Sequence, residues 1–143
     1  MRLGDLDIVF LTDGAFKLDV GPMFGIVPRP LYLRERQPDA RNRVAIALTI
    51  PLIRSGRENI LIDCGIGRKW GPKPRDIYDI HERPNLIESL AAAGLTPADI
   101  TAVIHTHLHH DHAGWNTRLD AQGRPEPVFV NARHLVERRE LDA

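Results

Sequence analysis

The segment that decides the fold is a run of six residues that reads His107-Leu108-His109-His110-Asp111-His112. Five of the seven histidines in the 143-residue chain fall between positions 105 and 112. Neutral imidazole and carboxylate groups are usual nitrogen and oxygen ligands of zinc. A lone histidine is more often a plain surface residue, but this density of ligand groups predicts a metal-binding cluster.

The order of residues in the cluster suggests how it could bind metal. Residues 100–106 are apolar and β-branched and predict a strand that leads directly into the cluster. A loop leaving a strand can turn alternate side chains, His107 and His109, toward one ion. Asp111 and His112 follow and can reach a second ion, where the carboxylate offsets the added positive charge. Two metals about 3.5–4 Å apart can hold a hydroxide and polarise a substrate oxygen.

The pattern His107-x-His109-x-Asp111-His112 resembles the motif of metallo-β-lactamase-fold hydrolases. Residues 60–65 resemble the family's strand that ends in Asp-Thr-Gly, with Cys64 in place of Thr. Residues 86–106 resemble the helix, turn and strand that precede the motif, and residues 131–134 resemble the start of a following strand. The N-terminal half, with its Gly-Pro-Met-Phe-Gly stretch, resembles the branch that contains quorum-quenching N-acyl-homoserine lactonases.

This resemblance implies an α/β fold, a sandwich of two β-sheets between helices. Residues 1–143 correspond to the first part of one such domain, so we expect an incomplete, mixed β-sheet with flanking helices. By the same resemblance His107 and His109 bind the first zinc, and Asp111 and His112 bind the second. Asp111 also orients the nucleophilic hydroxide or assists proton transfer. Asp63 lies beneath the site and hydrogen-bonds within it.

The implied activity is hydrolysis of an ester-like bond, with a lactone as the leading substrate, by a hydroxide held between two zinc ions. Iron or manganese could replace zinc. The rival interpretations are a truncated, non-catalytic fragment of the same fold and another reaction of the family, such as thioester or phosphoester hydrolysis or persulfide oxidation. Imidazole must be neutral and carboxylate ionised to bind metal, so binding should weaken as pH falls.

The family's later ligands, two histidines and a bridging aspartate, have no convincing counterpart. After His112 the remaining candidates are Asp120, His134 and Asp142. A half-sandwich also leaves an apolar sheet face uncovered, which favours self-association. The chain is therefore a fragment, a truncated gene product, or one partner of a homodimer or other complex that completes the site. The first two explanations are favoured.

Several other residues could carry chemistry but have simpler interpretations. His105 and His110 are expected to have structural or packing roles, and His81 and His134 are isolated. Cys64 is expected to be a buried small side chain and not a nucleophile. Aromatic residues that could line a substrate pocket, or simply pack in loops, are Trp70, Tyr78 and Trp115.

The remaining pattern gives a coarse secondary structure. Residues 7–12 predict a strand, Asp13-Gly14 a turn, and residues 15–20 its hairpin partner. Residues 44–54 predict a strand buried on both faces, paired in a hairpin with residues 59–63. Residues 65–84 predict a long loop that could form a lid. A helix from residue 86 to about residue 95, a capped turn at 96–99 and short strands at 128–130 and 134–136 complete the prediction.

Composition excludes some classes of function. Apolar residues make up 43% of the chain, and 19 Lys and Arg residues balance 19 Asp and Glu residues. A balanced charge gives no electrostatic support for nucleic-acid binding. One cysteine suits a reducing compartment, and no signal peptide or membrane-spanning run is evident. These features predict a soluble cytoplasmic protein with a small-molecule ester or lactone substrate and neither a nucleic-acid nor a membrane partner.

Overall fold

The structure is a computed structural model that describes residues 1–81 and 83–142. Its centre is a six-stranded mixed sheet with the strand order β1-β2-β3-β4-β5-β8, and β6 and β7 form a separate hairpin. The strands are β1 Arg2–Leu3, β2 Leu6–Asp19, β3 Arg43–Ser55, β4 Glu58–Ile62, β5 Ala102–Ile104, β6 Thr117–Leu119, β7 Pro125–Pro127 and β8 Arg133–Leu135.

Short helices connect and cover the strands. They are α1 Val20–Phe24, α2 Arg29–Tyr32, α3 Pro72–Tyr78, α4 Leu86–Ala92 and α5 Arg138–Leu141, with 3₁₀ turns at Pro97–Asp99 and Gly114–Asn116. The predicted helix near residue 86 is α4, which begins at a capping box formed by Asn85 and Glu88. The predicted capped turn is the 3₁₀ turn at Pro97–Asp99. Within the described ranges, none of these helices is long and apolar enough to cross a membrane.

The predicted turn at Asp13-Gly14 is wrong, because β2 continues through it as one long strand. The register with β3 shifts between Thr12 and Ala15, which is a β-bulge. Gly14 adopts φ +82°, and a Cβ there would lie 2.9 Å from the backbone oxygens of His81 and Pro84. Glycine therefore permits the bulge and the close approach of the chain that precedes α4.

The core lies on one face of the sheet, under α4. Leu52 of β3, Leu61 of β4 and Val103 of β5 pack there against Leu86 and Leu90 of α4. All five side chains are fully buried. The predicted hairpin of β3 and β4 is confirmed, and β4, β5 and β8 are parallel.

The other face of the sheet is open, so the prediction that β3 is buried on both faces is wrong. Alternate β3 residues, including Ala45, Ala47 and Thr49, are exposed. The strand registers place five apolar residues in a row across this face: Phe10, Pro51, Ile62, Ile104 and Leu135. The Phe10 side chain is 60% exposed.

Three further predictions need correction. Residues 65–84 are not a continuous loop, because α3 lies within them; Glu82 of this range falls outside the described residues. Residues 128–130 form no strand, and Val128 and Phe129 are instead buried in a turn that fills the core. The strand predicted at 100–106 is shorter, since only Ala102–Ile104 pairs with its neighbours. In each case tertiary packing overrides local propensity.

Candidate metal centre

The predicted ligands lie at the carboxyl ends of the parallel strands β4 and β5. Asp63 follows β4 directly, and the loop that carries the four predicted metal ligands follows β5. The carboxyl ends of neighbouring parallel strands meet at one edge of a sheet, which is where α/β proteins commonly bind ligands. The structure therefore brings together residues about 45 positions apart in sequence.

The rings of His107 and His109 lie close together, and one ring nitrogen of each faces the other. Nε2 of His107 lies 3.0 Å from Nδ1 of His109, and the ring centroids are 4.6 Å apart. Two imidazole nitrogens that share one tetrahedral zinc, with Zn–N bonds near 2.0–2.1 Å, lie about 3.3 Å from each other. The observed separation is close to that value, so this nitrogen pair fits a single shared cation.

Asp111 and His112 form the second predicted pair. Nε2 of His112 lies 3.4 Å from Oδ2 of Asp111, and the His112 ring lies 3.9 Å from the ring of His107. The two pairs are thus adjacent. A carboxylate beside several imidazoles supplies the negative charge that a site for two divalent cations requires.

Asp63 holds His112 in place from below. Its Oδ2 accepts a hydrogen bond from Nδ1 of His112 at 2.8 Å, which leaves Nε2 of His112 facing Asp111. Thr106 donates to the same carboxylate from its backbone N–H at 2.8 Å and from its hydroxyl at 2.7 Å. A carboxylate that fixes the second nitrogen of a metal-binding histidine is a common feature of zinc sites.

The turn after β4 also supports the cluster through the backbone. Asp63 has φ +61°, a left-handed conformation that redirects the chain. The N–H of Cys64 then donates to the carbonyl of His112, and the N–H of Gly114 donates to the carbonyl of Gly65, both at 2.7 Å. Two successive residues of the turn, Cys64 and Gly65, therefore bond the loop after β4 to the ligand loop after β5.

Among the described residues, the candidate ligands for each metal ion are two and not three. Within residues 1–81 and 83–142, no three His, Cys, Asp or Glu side chains are arranged to hold one ion. His134 stacks on His105 with ring centroids 5.8 Å apart, and Asp120 accepts hydrogen bonds from Arg124. Structural zinc sites have four protein ligands and catalytic sites usually three. The donor set thus fits part of a dinuclear site.

The other chemistry-bearing residues have structural surroundings. His105 is buried beneath the cluster, and burial together with the neighbouring His134 lowers its pKa. Cys64 is fully buried with its thiol 3.3 Å from Oδ1 of Asn116, and desolvation raises its pKa to about 12. A thiol that remains protonated is not a nucleophile. Both arrangements agree with the predicted structural roles.

Two cavities flank the cluster. One of about 350 Å³ is lined mainly by apolar groups, among them Trp70, Leu108 and His110. The His110 ring also packs edge-on against Trp70 and beside Tyr78, with centroid distances of 5.2 and 5.5 Å. The second, of about 160 Å³, lies between Asp63, Asp111, His112 and β3. An apolar cavity beside a polar cluster is typical of small-molecule sites.

Sequence analysis missed two contributors, Asp13 and Thr106. Asp13 precedes a glycine, which made a turn the simplest interpretation, and its buried partners lie 53 to 102 residues away in sequence. The sequence pattern predicts Thr106 only as the last residue of a strand. No local signal in the sequence marks its hydroxyl as a partner of Asp63, because strand alternation would place Thr106 and His107 on opposite faces.

The family comparison finds a match over more than half of the chain. A sequence profile of the metallo-beta-lactamase superfamily matches residues 50–139. Among curated proteins, the N-acyl homoserine lactonase AttM of Azorhizobium caulinodans is 33% identical over 100 residues, which cover 64% of this chain and 34% of AttM. The chain therefore covers about a third of the length of that relative.

Solved structures match nearly the whole chain. A probable metal-dependent hydrolase from Staphylococcus aureus superimposes with a TM-score of 0.87 and 37% identity, covering 99% of this chain and 50% of that protein. AidC, a dizinc quorum-quenching lactonase solved with a product, superimposes with a TM-score of 0.70 and 26% identity, covering 99% and 45%. These matches confirm the predicted fold class and the resemblance to the lactonase-like branch.

Proposed function

Because the chain belongs to the metallo-beta-lactamase superfamily, we propose that it is the N-terminal part of a metal-dependent hydrolase domain that acts on ester-like bonds. A lactone is the favoured substrate. The observation that carries this proposal is the facing pair of nitrogens, Nε2 of His107 and Nδ1 of His109, 3.0 Å apart beside Asp111 and His112. In the metal-free chain this pair is within hydrogen-bond distance, and the same spacing would let both nitrogens bind one zinc ion.

The family and the dizinc neighbour support a divalent metal, and we propose zinc, with iron or manganese as alternatives. His107 and His109 would hold one ion, and Asp111 and His112 the other. Bound there, the metals would supply Lewis acidity toward the carbonyl oxygen and lower the pKa of water. Asp111 is positioned to accept or return a proton at its carboxylate, and Asp63 keeps His112 in the tautomer that leaves Nε2 free.

The lactone preference rests on similarity and on the cavity beside the cluster. AttM and AidC are lactonases by name, and both match this chain above 25% identity. The cavity lined by Trp70 and Leu108 offers apolar surface next to His110 and the ligand loop. An uncharged ester with an apolar substituent suits such a cavity better than a polyanion, which agrees with the chain's balanced charge.

We propose that residues 1–143 are one part of a single domain. The chain covers only half of the Staphylococcus aureus protein and 45% of AidC, although 99% of it superimposes on each. The open sheet face carries Phe10, Ile104 and Leu135, which are 60%, 36% and 46% exposed. A row of exposed apolar side chains on a sheet is expected to be covered in the working protein. The covering part would also supply the remaining ligands.

A hydrolysis assay tests the proposal. Two proteins are assayed in the presence of zinc: the 143-residue chain and the longest product of its gene. The substrates are an N-acyl homoserine lactone, an aryl ester, a thioester and a phosphodiester. We expect lactone turnover that His109→Ala abolishes and that the exposed control His81→Ala leaves unchanged. Preference for the thioester or phosphodiester would overturn the lactone assignment. Lack of all turnover in the longest product would support the rival interpretation, a non-catalytic truncated domain.

A further inference from the structure

Asp13 is a fully buried carboxylate outside the ligand cluster. Its side chain is 0% exposed. Oδ2 accepts hydrogen bonds from the N–H groups of Ile66 and Gly67 at 2.8 and 3.1 Å. Oδ1 accepts from the N–H of Leu86 and from Nε1 of Trp115 at 2.9 and 2.7 Å. Four donors from three separate segments thus converge on one side chain, which satisfies the buried carboxylate and ties those segments together.

The bulge in β2 delivers Asp13 to this position. The register shift between Thr12 and Ala15 leaves Asp13 and Gly14 outside the ladder, so the Asp13 side chain turns into the core. A Cβ on Gly65 would lie 2.5 Å from Oδ2 of Asp13, so the loop after β4 packs directly on the carboxylate. The local irregularity therefore has a specific consequence: it brings a charged group into contact with the loop that begins at Asp63.

A nearby cation offsets the charge of Asp13 without bonding to it. The Arg68 guanidinium lies 5.9 Å from the centre of the Trp115 ring, whose Nε1 donates to Asp13. Both terminal nitrogens of Arg68 are buried and have no hydrogen-bond partner among residues 1–81 and 83–142. The acceptor capacity of Asp13 is therefore used entirely on backbone N–H groups and on Trp115, and these bonds fix geometry.

Two routes lead from Asp13 to His112. In the first, Asp13 holds Ile66 and Gly67, the same turn contains Asp63, and Asp63 bonds Nδ1 of His112. In the second, Asp13 holds Trp115, three residues after His112. The two routes are joined by the bond from the N–H of Cys64 to the carbonyl of His112. The ring and the backbone of His112 are thus both fixed by segments that one carboxylate clamps.

We propose that Asp13 is a positioning residue of the metal centre that sets the orientation of His112. This inference rests on the proposed function, because it assigns Asp13 to the metal pair of Asp111 and His112. The other pair is reached less directly, through Thr106, whose hydroxyl donates to Asp63 at 2.7 Å and lies 3.0 Å from Nδ1 of His107. Loss of Asp13 should therefore weaken binding of the metal at His112 more than binding at His107 and His109.

The decisive variant is Asp13→Asn, which keeps size and removes one acceptor. The amide nitrogen can only donate, so whichever oxygen it replaces, two N–H groups lose their acceptor and face another donor. Trp115→Phe is a milder second variant, which removes the Nε1 donor and keeps an aromatic ring at this position. Leu90→Ala, on the core face of α4, is the matched control, because it destabilises the fold without removing any hydrogen bond to Asp13.

The first measurement is made on the metal-free 143-residue chain, so it does not depend on activity. Long-range ¹H–¹⁵N spectra report which nitrogen of each imidazole carries the proton. In the unmodified chain and in Leu90→Ala we expect His112 to be protonated at Nδ1, as its bond to Asp63 requires. In Asp13→Asn we expect a mixture of tautomers at His112. An unchanged His112 spectrum in a folded Asp13→Asn chain would overturn the inference.

The second measurement is a zinc titration of the same four chains. Partners of metal ligands typically change affinity by about 10–100-fold, and we expect zinc affinity to fall by about 10-fold in Asp13→Asn. If Asp13→Asn does not fold, Trp115→Phe decides the question, with a smaller shift in the same direction supporting the role and none contradicting it. If the unmodified chain binds no zinc, the proposed function loses its support, while the tautomer measurement still tests the clamp.

Discussion

Nδ1 of His112 lies 2.8 Å from Oδ2 of Asp63, and this bond joins the loops that follow two neighbouring parallel strands. It determines which nitrogen of His112 is free to bind metal. The Asp63 side chain is only 13% exposed, so solvent does little to weaken the interaction. The relationship leads to a direct prediction about metal affinity.

Asp63→Asn should reduce zinc affinity by about 10–100-fold, because an amide satisfies the donors of Thr106 and His112 only in part. The measurement is a calorimetric zinc titration. Asp99→Asn is the control, since Asp99 caps an exposed turn through Thr96 and does not approach the cluster. Equal affinities for Asp63→Asn and the unmodified chain would show that His112 does not need this partner.

A second prediction concerns the close contact of Gly114 with the backbone of Ile66. A Cβ on Gly114 would lie 2.1 Å from backbone atoms of Ile66, so the loops have no room for a side chain there. Gly114→Ala should lower the free energy of unfolding by about 3 kcal/mol. Gly71→Ala, where a Cβ meets nothing within 4 Å and only the N-cap of α3 changes, should lower it by about 1 kcal/mol or less. Urea denaturation measures both, and similar values for the two variants would contradict the packing.

A third prediction concerns the acid stability of the ion pairs that connect β3 to α3. The Arg43 guanidinium bonds Asp39 at 2.9 Å and the carbonyls of Asp76 and Ile77 at 2.9 and 2.7 Å. Hydrogen bonds from Arg43 hold the pKa of Asp39 well below its usual range. The stabilisation is therefore present above about pH 4, the ordinary Asp value, and is lost as pH falls toward the lower folded-state pKa.

The thermal midpoint between pH 6 and pH 2.5 tests this expectation. Asp39→Asn should be less stable than the unmodified chain at pH 6, and the difference should shrink as pH falls. Asp5→Asn, which alters an exposed side chain, is the control and should run parallel to the unmodified chain. A gap between Asp39→Asn and the unmodified chain that stays constant down to pH 2.5 would rule out the predicted role of Asp39.

A fourth prediction concerns Cys64. Because burial raises the pKa of the Cys64 thiol to about 12, the thiol should react with a disulfide reagent at pH 8 at least about 10-fold more slowly than an ordinary thiol. The same chain unfolded in urea provides the control and should react at the ordinary rate. A native rate as fast as the unfolded one would mean that Cys64 is accessible and ionised, contrary to its burial.

Sequence alone predicted the fold through its ligand string and the strand that precedes it. The order His107-x-His109-x-Asp111-His112 is local, so its meaning could be read without knowing distant contacts. The hairpin of β3 and β4 and the cap at Asn85 were also predictable, because turn residues and capping boxes act within a few positions.

Contacts between distant segments could not be predicted. Asp13-Gly14 has the composition of a turn, and only the donors at Ile66, Leu86 and Trp115 explain why it is a bulge instead. Residues 128–130 have strand propensity, yet Val128 and Phe129 are needed to fill the core. In both cases long-range packing, which a single sequence does not display, decides the local conformation.

The central claim is that the cluster binds metal, and zinc calorimetry of the 143-residue chain tests it most directly. Three proteins are titrated under the same conditions: the unmodified chain, the double variant with His107→Ala and His109→Ala, and the control His81→Ala. The account predicts saturable binding of at least one zinc by the unmodified chain and by His81→Ala, and weaker binding or fewer zinc ions in the double variant. Zinc binding that is unchanged in the double variant, or absent from the unmodified chain, would contradict it.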